Sequence, residues 1–491
     1  MSDSSQRTGG QAAVNPGLVL LLCSGASFMA FLDLSVVNIA FPEIIKAYPS
    51  TTMANLTWVV SGYAVMFAAL LTPVGRLADT VGRAKVFLGS LVGFTIASLV
   101  CGAAPNAATL IIGRFVQGAM AAGMIPAALG LIMAATPLPQ LMKAIGAWSA
   151  ASGFSAVIGP VIGGLLVDHL SWRSVFYING PIGLLLLLGG LRGLPKHLPP
   201  AGSKLPDLIG TVSLAVGIGF VVAALTEGEN WGWTDARTLG LLICGLALCL
   251  VALLRSQKHE APAIDTGLWK STRFARTNVV ASIFGVSMFA WLLAGPLWAT
   301  QVWHWSIMQA AGALSVGAFA SMVTSTVAGR ISDGTKHRWL VILGLLMFAG
   351  CTAMQASSFF FDTEPKFWSA WVPSGLLGGG GLGFAATAIS SIAATSLPPN
   401  RFAAGIGMNL TSRQVGGALG TAGLAAIFAS YDRPGVDAFH AVYIACTVAT
   451  VVAAIAAFTL PDPAPAPVPP QAQEAAKSAD GSHSTAGAAG A

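Results

Sequence analysis

The sequence predicts an all-α polytopic membrane protein, and three observations predict it. Hydrophobic residues make up 55% of the 491-residue chain and charged residues only 9%, about a third of the charge carried by a soluble domain. Apolar runs long enough to cross a bilayer recur along the chain. Lys and Arg gather in alternate connecting segments, as in loops retained in the cytoplasm. This composition excludes a water-soluble enzyme, a nucleic-acid binder and a disordered chain. The net charge of +6 then reflects loop cations rather than a nucleic-acid partner.

Apolar runs broken by charges and by Pro/Gly clusters give fourteen spans: 16–41, 55–74, 84–103, 107–134, 142–167, 173–191, 207–225, 237–254, 275–299, 308–329, 338–358, 368–395, 402–429 and 437–460. An even count puts both termini on one side. With the N-terminus in the cytoplasm, eighteen of the 25 Lys and Arg residues fall in cytoplasmic segments, five in external loops, and Arg114 and Arg413 within spans. That bias predicts a multi-pass protein of the cell (inner) membrane with both ends inside. The first apolar run is too long for a signal-peptide core and reads as a retained span. The Pro/Ala-rich and then Ser/Gly-rich segment 461–491 reads as a disordered cytoplasmic tail.

No cofactor or metal is expected. All six cysteines lie in apolar runs without paired spacing, and the seven histidines show no ligand spacing. The Gly378–Gly381 run lacks the Gly-Lys-Ser/Thr of a phosphate loop, and no ATP-binding motif occurs elsewhere.

An internal repeat organises the spans. Gly75-Arg76-Leu77-Ala78-Asp79 follows span 2, and Gly329-Arg330-Ile331-Ser332-Asp333 follows span 10, 254 residues later. Gly118 and Gly123 of span 4 recur as Gly378 and Gly383 of span 12, offset by 260. Similar offsets predict two six-helix halves, 16–192 and 274–460, joined by helices 7 and 8 with flanking linkers at 193–273, after a short N-terminal tail, 1–15. In repeat-built transporters the substrate site lies between the repeats near the midplane.

The candidate chemistry sits in a few polar residues. Asp33 is the carboxylate placed well inside a span, and an intramembrane charge marks a functional site or a partnered one. Burial disfavours a charged carboxylate and a nearby guanidinium favours it. Proton binding at Asp33 then depends on its distance from a cation that conformation can change. Arg114 supplies that cation, with Gln117 on its helical face; Asp33 or Glu43 can partner it. Asn38, Gln117, Trp291 and Arg413 are the candidate cavity residues, with snorkelling towards the cytoplasm the alternative for Arg413. Trp298, Trp303 and Trp305 read as an interfacial belt. In span 5, Gly153, Gly159, Gly163 and Gly164 permit close packing. Pro160 among them predicts a kink, so this segment is a candidate hinge or seal.

These residues resemble the major facilitator superfamily, specifically its fourteen-span drug/proton antiporters. The likeness covers about residues 16–460. Gly75-Arg76-Leu77-Ala78-Asp79-Thr80-Val81-Gly82-Arg83 is similar to the superfamily's loop 2–3 motif. Leu32-Asp33 through Asn38 to Pro42 resembles the first-span motif, and Arg114-x-x-Gln117-Gly118 the fourth. Gly153 through Gly159-Pro160-x-x-Gly163-Gly164 resembles the antiporter motif of span 5. Trp172 to Gly183 resembles the start of span 6, and Gly232-Trp233 the central hairpin loop. The resemblance implies a major facilitator fold and proton-coupled multidrug efflux by alternating access, with lipophilic, cationic or neutral drugs and protons as partners of a monomer in the bilayer. Asp33 is then the proton or cation site and Arg114 its modulator. Asp79 and Arg83 latch the cytoplasmic side, with Gly75, Arg76, Gly82 and Asp333 in the same gating turns. Thr80 and Ser35 depart from the family pattern. A narrow exporter of one antibiotic or secondary metabolite, or a solute importer, is the alternative.

Overall fold

The computed structural model describes residues 15–194, 207–260, 262–264, 266–331, 337–397, 401–431 and 435–461. The expectations for Asp333 and for the tail beyond 461 lie outside these residues. The described chain is helical, with no strand. Its long helices are α1 (Pro16–Ala47), α2 (Trp58–Val81), α3 (Arg83–Gly102), α4 (Ala107–Ala135), α5 (Leu138–His169), α6 (Asn179–Gly193), α7 (Leu208–Trp231), α8 (Ala236–Ser256), α9 (Thr272–Leu297), α10 (Ile307–Ile331), α11 (His337–Gln355), α12 (Val372–Thr395), α13 (Phe402–Ala429) and α14 (Val436–Phe458). Among the described residues, twelve helical segments are long and apolar enough to cross a membrane. The long helices α5 and α13, of 32 and 28 residues, are not among those twelve.

Local sequence explains where the helices begin and turn. Asn15 caps α1, its side-chain oxygen accepting from the Gly17 amide at 3.0 Å ahead of Pro16. Asn106 caps α4 through Thr109 N at 2.9 Å. The turn from α2 to α3 passes through Gly82 at φ +117°, and that from α7 to α8 through Gly232 at φ +97°, conformations that L side chains avoid. α7 continues six residues past the limit expected from hydropathy, to Trp231, because Glu227 is accommodated inside the protein rather than ending the span.

Packing is mostly small-residue and aliphatic. α1 packs on α5, α4 on α2 and α3; α9 packs on α13 and α14, and α12 on α10 and α11. The pairs α5–α10 and α2–α13 join these two groups, and α7 rests on both α2 and α13. Outward faces remain apolar: Leu239, Ile243, Leu246 and Leu250 form an exposed stripe along α8. Such a stripe suits lipid, while the helices satisfy their own backbones. At the base of the α7–α8 hairpin Arg255 donates to Asp207, and this bond holds the Asp207 carboxyl below the usual carboxylate range. Its contribution to stability is therefore fully present above the ordinary Asp pKa, about 3.9, and is lost as pH falls below it.

Replacing Gly82 with Ala forces a side chain into a backbone region occupied essentially by glycine. The variant is expected to lose about 1–3 kcal/mol, read as a lower thermal midpoint in detergent.

Candidate functional site

The site is built around a carboxylate sealed inside the helices. Asp33, midway along α1, has no exposed side-chain surface. Its Oδ2 accepts from Arg114 Nη1 at 2.5 Å. Its Oδ1 accepts from Gln117 Nε2 at 2.8 Å and from Asn179 Nδ2 at 2.9 Å. Arg114 and Gln117 lie one turn apart on α4, which brings both to α1. The guanidinium also donates from Nε to the Val59 carbonyl at 2.8 Å, and lies 4.4 Å from the Tyr63 ring centroid. Asn179, at the start of α6, donates also to Ser98 Oγ of α3 at 2.9 Å. One ion pair thus gathers α1, α2, α3, α4 and α6.

Two side-chain amides and one guanidinium thus satisfy the buried carboxylate. Removing Arg114 would leave its charge uncompensated. Glu43, the alternative partner, instead accepts from exposed Lys46 at 2.7 Å. Gln117, expected in a cavity, is fully buried within the Asp33 network. Asn38 is exposed on α1.

A cavity of about 220 Å³ lies between the two helix groups, lined among others by Ser35, Gly153, Trp291, Gln355, Trp371 and Ser374. Trp291 Nε1 donates to Gln355 Oε1 at 2.8 Å, which fixes the ring against the wall. The described lining holds no charged residue. Ser35 stands two positions from Asp33 and packs on Gly159 of α5. Gly163 meets Val36 and Ile39 of α1, and Gly164 meets Met308. The backbone stays helical through Pro160. Trp298 and Trp303 are buried in an aromatic cluster with Phe361 rather than forming an exposed belt, and Trp305 packs at a tilt against Trp303 and Trp371.

A second charged cluster closes the end of the bundle at the α2–α3 turn. Asp79 accepts from Arg83 Nε at 2.8 Å, and from the backbone amides of Ala403 and Ala404 at the start of α13, at 3.3 and 2.8 Å. Arg83 donates to the Gly130 carbonyl at 3.2 Å and lies 5.5 Å from the Phe402 ring. The carboxylate also complements the partial positive charge of the α13 N-terminus. The backbones touch at the same end: a side chain at Gly75 would meet the Ala403 oxygen at 2.5 Å, and one at Gly146 would meet the Ser325 oxygen at 2.6 Å. Arg76 is half-buried beside this contact.

Sequence reasoning missed two buried polar residues. Asn179 was legible only as part of a motif, with no role attached. Glu227 is 1% exposed, and its Oε1 accepts from Ser61 Oγ at 3.0 Å. Its nearest signal was the aromatic Trp231-Gly232-Trp233 sequence that follows it, which marks a helix end beyond the hydropathy limit. Arg413 lies half-buried on α13, outside the described cavity lining.

Replacing Arg114 with Ala at pH 8 is expected to destabilise the protein by about 3–5 kcal/mol, as for a buried pair broken on one side. Adding Asp33→Asn should recover a substantial part of that loss. A double-mutant cycle of thermal unfolding in detergent measures both; two additive effects would show that the pair is not coupled.

Comparison with known proteins sets this geometry in a lineage. The family model described as Major Facilitator Superfamily matches residues 23–421 and 279–485. The chain is 31% identical to the puromycin resistance protein pur8 of Streptomyces alboniger, covering 83% of this chain and 80% of that one. It is 30% identical to the tetracenomycin C resistance and export protein of Streptomyces glaucescens, over 84% and 76% of the two chains. It is 29% identical to the multidrug resistance protein Stp of Mycobacterium tuberculosis, over 84% and 76%. The fold is shared with the crystal structure of the human organic anion transporter MFSD10, with a TM-score of 0.68 at 12% identity, covering 90% of this chain and 99% of that one. The chain therefore belongs to the major facilitator superfamily, as a multi-pass membrane transporter rather than an enzyme, among relatives named for drug resistance and export.

Proposed function

We propose that this protein is a proton-coupled exporter of lipophilic small molecules, working by alternating access as a fourteen-span monomer in the cell membrane with both termini in the cytoplasm. The observation that carries the reading is the separation of its two polar centres. Asp33 is sealed against Arg114, Gln117 and Asn179, while the cavity lies on the other side of α1, reached by Ser35. A proton arriving at Asp33 removes the charge that Arg114 holds and loosens α1 from α4. Because Ser35 is two residues along the same helix, the shift reaches the α5 contact at Gly159 and the cavity wall.

Helices α1–α6 and α9–α14 form the two halves, and α7–α8 the inserted hairpin. The Asp79–Arg83 cluster with Gly75 and Gly146 is the cytoplasmic latch: it closes the halves there while the cavity faces outward. Gly153, Gly159, Pro160, Gly163 and Gly164 form the sliding seam of α5 against α1 and α10. Each proton entering down about 150 mV supplies roughly 3.5 kcal/mol, enough for a cargo gradient of about 300-fold. Cavity contacts select for apolar character, since the described lining offers no carboxylate to a cationic drug.

A narrow exporter of one antibiotic is the second reading, favoured by relatives named for puromycin and tetracenomycin C alone. A resistance profile across unrelated compounds separates the two.

In everted vesicles with matched protein levels, Asp33→Asn is expected to abolish dye-dependent proton movement seen with the wild type. Equal activity of both proteins would make Asp33 structural. Asp79→Asn should cut transport by about tenfold or more through loss of the latch, and a cysteine placed in the α2–α13 contact should become more reactive to a cytoplasmic thiol reagent.

A further inference from the structure

Arg413 is a half-buried cation that neither polar centre uses. It is the twelfth residue of the 28-residue α13, near the middle of the span. Its helical face is defined by Ile406 and Leu410, buried in the cluster shared with α1, α2 and α4, and by Gly417, which lies against Phe289 of α9. The neighbouring faces are taken: Gly416 and Gly420 press on the α9 backbone, and Thr411 bonds Thr72 of α2. By this helical face Arg413 is directed between the two helix groups, where it is half-buried.

Its position along that interior is specific. Ten and nine residues earlier on α13, Ala403 and Ala404 form the closure with Asp79. The Arg413 carbonyl packs on Gly285, two turns before Trp291 and Leu292 of the cavity wall. A molecule passing from one end to the other crosses its level.

Among the described residues, its guanidinium has no hydrogen-bond or ion-pair partner. Among the described residues the buried acids are engaged elsewhere: Asp33 with Arg114, Asp79 with Arg83, Asp207 with Arg255, and Glu227 with Ser61. A permanent cation at mid-span is costly without a counter-charge, and guanidinium pairs best with a carboxylate through two parallel bonds. The missing counter-charge is therefore one that arrives and leaves.

We propose that Arg413 binds an acidic group of the cargo, so that the exported molecules are apolar bodies bearing a carboxylate or similarly acidic oxygen. This rests on the export reading above and names the substrate class of the same pathway. Apolar cavity and lone guanidinium then divide the work, one selecting the body and the other the charge.

The test uses two probes of nearly equal shape, a diethylaminocoumarin carboxylate and its ethyl ester. Their binding to purified full-length protein is read by quenching of tryptophan fluorescence. The wild type should bind the acid about tenfold to a hundredfold more tightly than the ester. Arg413→Gln should erase that preference by weakening the acid alone, and Arg413→Lys should retain part of it. Equal affinity for acid and ester in the wild type, no measurable binding of the acid, or an equal loss for both probes in Arg413→Gln would overturn the proposal. Vesicle efflux of the acid, measured alongside, keeps the two readings apart. Acid preference in binding without proton-linked efflux would count against the export reading and leave the role of Arg413 standing.

Discussion

The Asp33–Arg114 ion pair is the interaction on which the arrangement of α1, α2, α3, α4 and α6 depends. A charge in a low-dielectric interior must be matched on the spot, so the pair dictates that α1 and α4 meet at one depth. The remaining hydrogen-bond capacity then recruits its neighbours. Val59 on α2 accepts from the guanidinium, and Asn179 on α6 bridges the carboxylate to Ser98 on α3. Five helices are fixed relative to one another by a handful of polar atoms. The apolar packing around them, including Met29, Phe87 and Phe94, has no such directional preference of its own.

The same economy governs the end of the bundle. Asp79 accepts from its own helix–turn partner Arg83 and from two amides of α13 that have no intrahelical partner. One carboxylate therefore ties a local turn to a distant helix end. Contacts of this kind are made and broken by small rigid movements, because the amides of a helix N-terminus are satisfied equally well by water. The glycine contacts beside it, at Gly75 and Gly146, bring backbones together without interlocking side chains. A closure assembled from one carboxylate and flat backbone surfaces suits a joint that opens.

The middle of the molecule follows the opposite rule. The cavity wall is apolar and aromatic with neutral polar groups, such as Gln355, already bonded to their neighbours. It has little to offer a charge, since its described lining holds no charged residue. In the proposed mechanism the proton and the cargo never share a binding site: α1 lies between them, with Asp33 facing α4 on one side and Ser35 facing α5 on the other. Coupling is then mechanical, carried by the position of one helix.

The sequence by itself determined the membrane class, the helix order and the pairing candidates, because hydropathy and the cost of intramembrane charge are local properties. Asp33 and Arg114 stood out for being charged where charge is expensive, and the turn motif at Gly75–Arg83 was legible from its residues. Helix periodicity placed Gln117 on the face of Arg114, but periodicity says nothing about what that face meets. Only the tertiary structure sent Gln117 to Asp33 rather than to a cavity, chose Asp33 over Glu43 as the partner of Arg114, and brought in Asn179 from 146 residues away. It also buried Glu227 beyond the expected end of α7 and left Arg413, among the described residues, without an ion-pair partner. In each case the deciding fact is which groups lie within hydrogen-bond distance across helices, a distance that packing sets and that no pattern along one helix encodes.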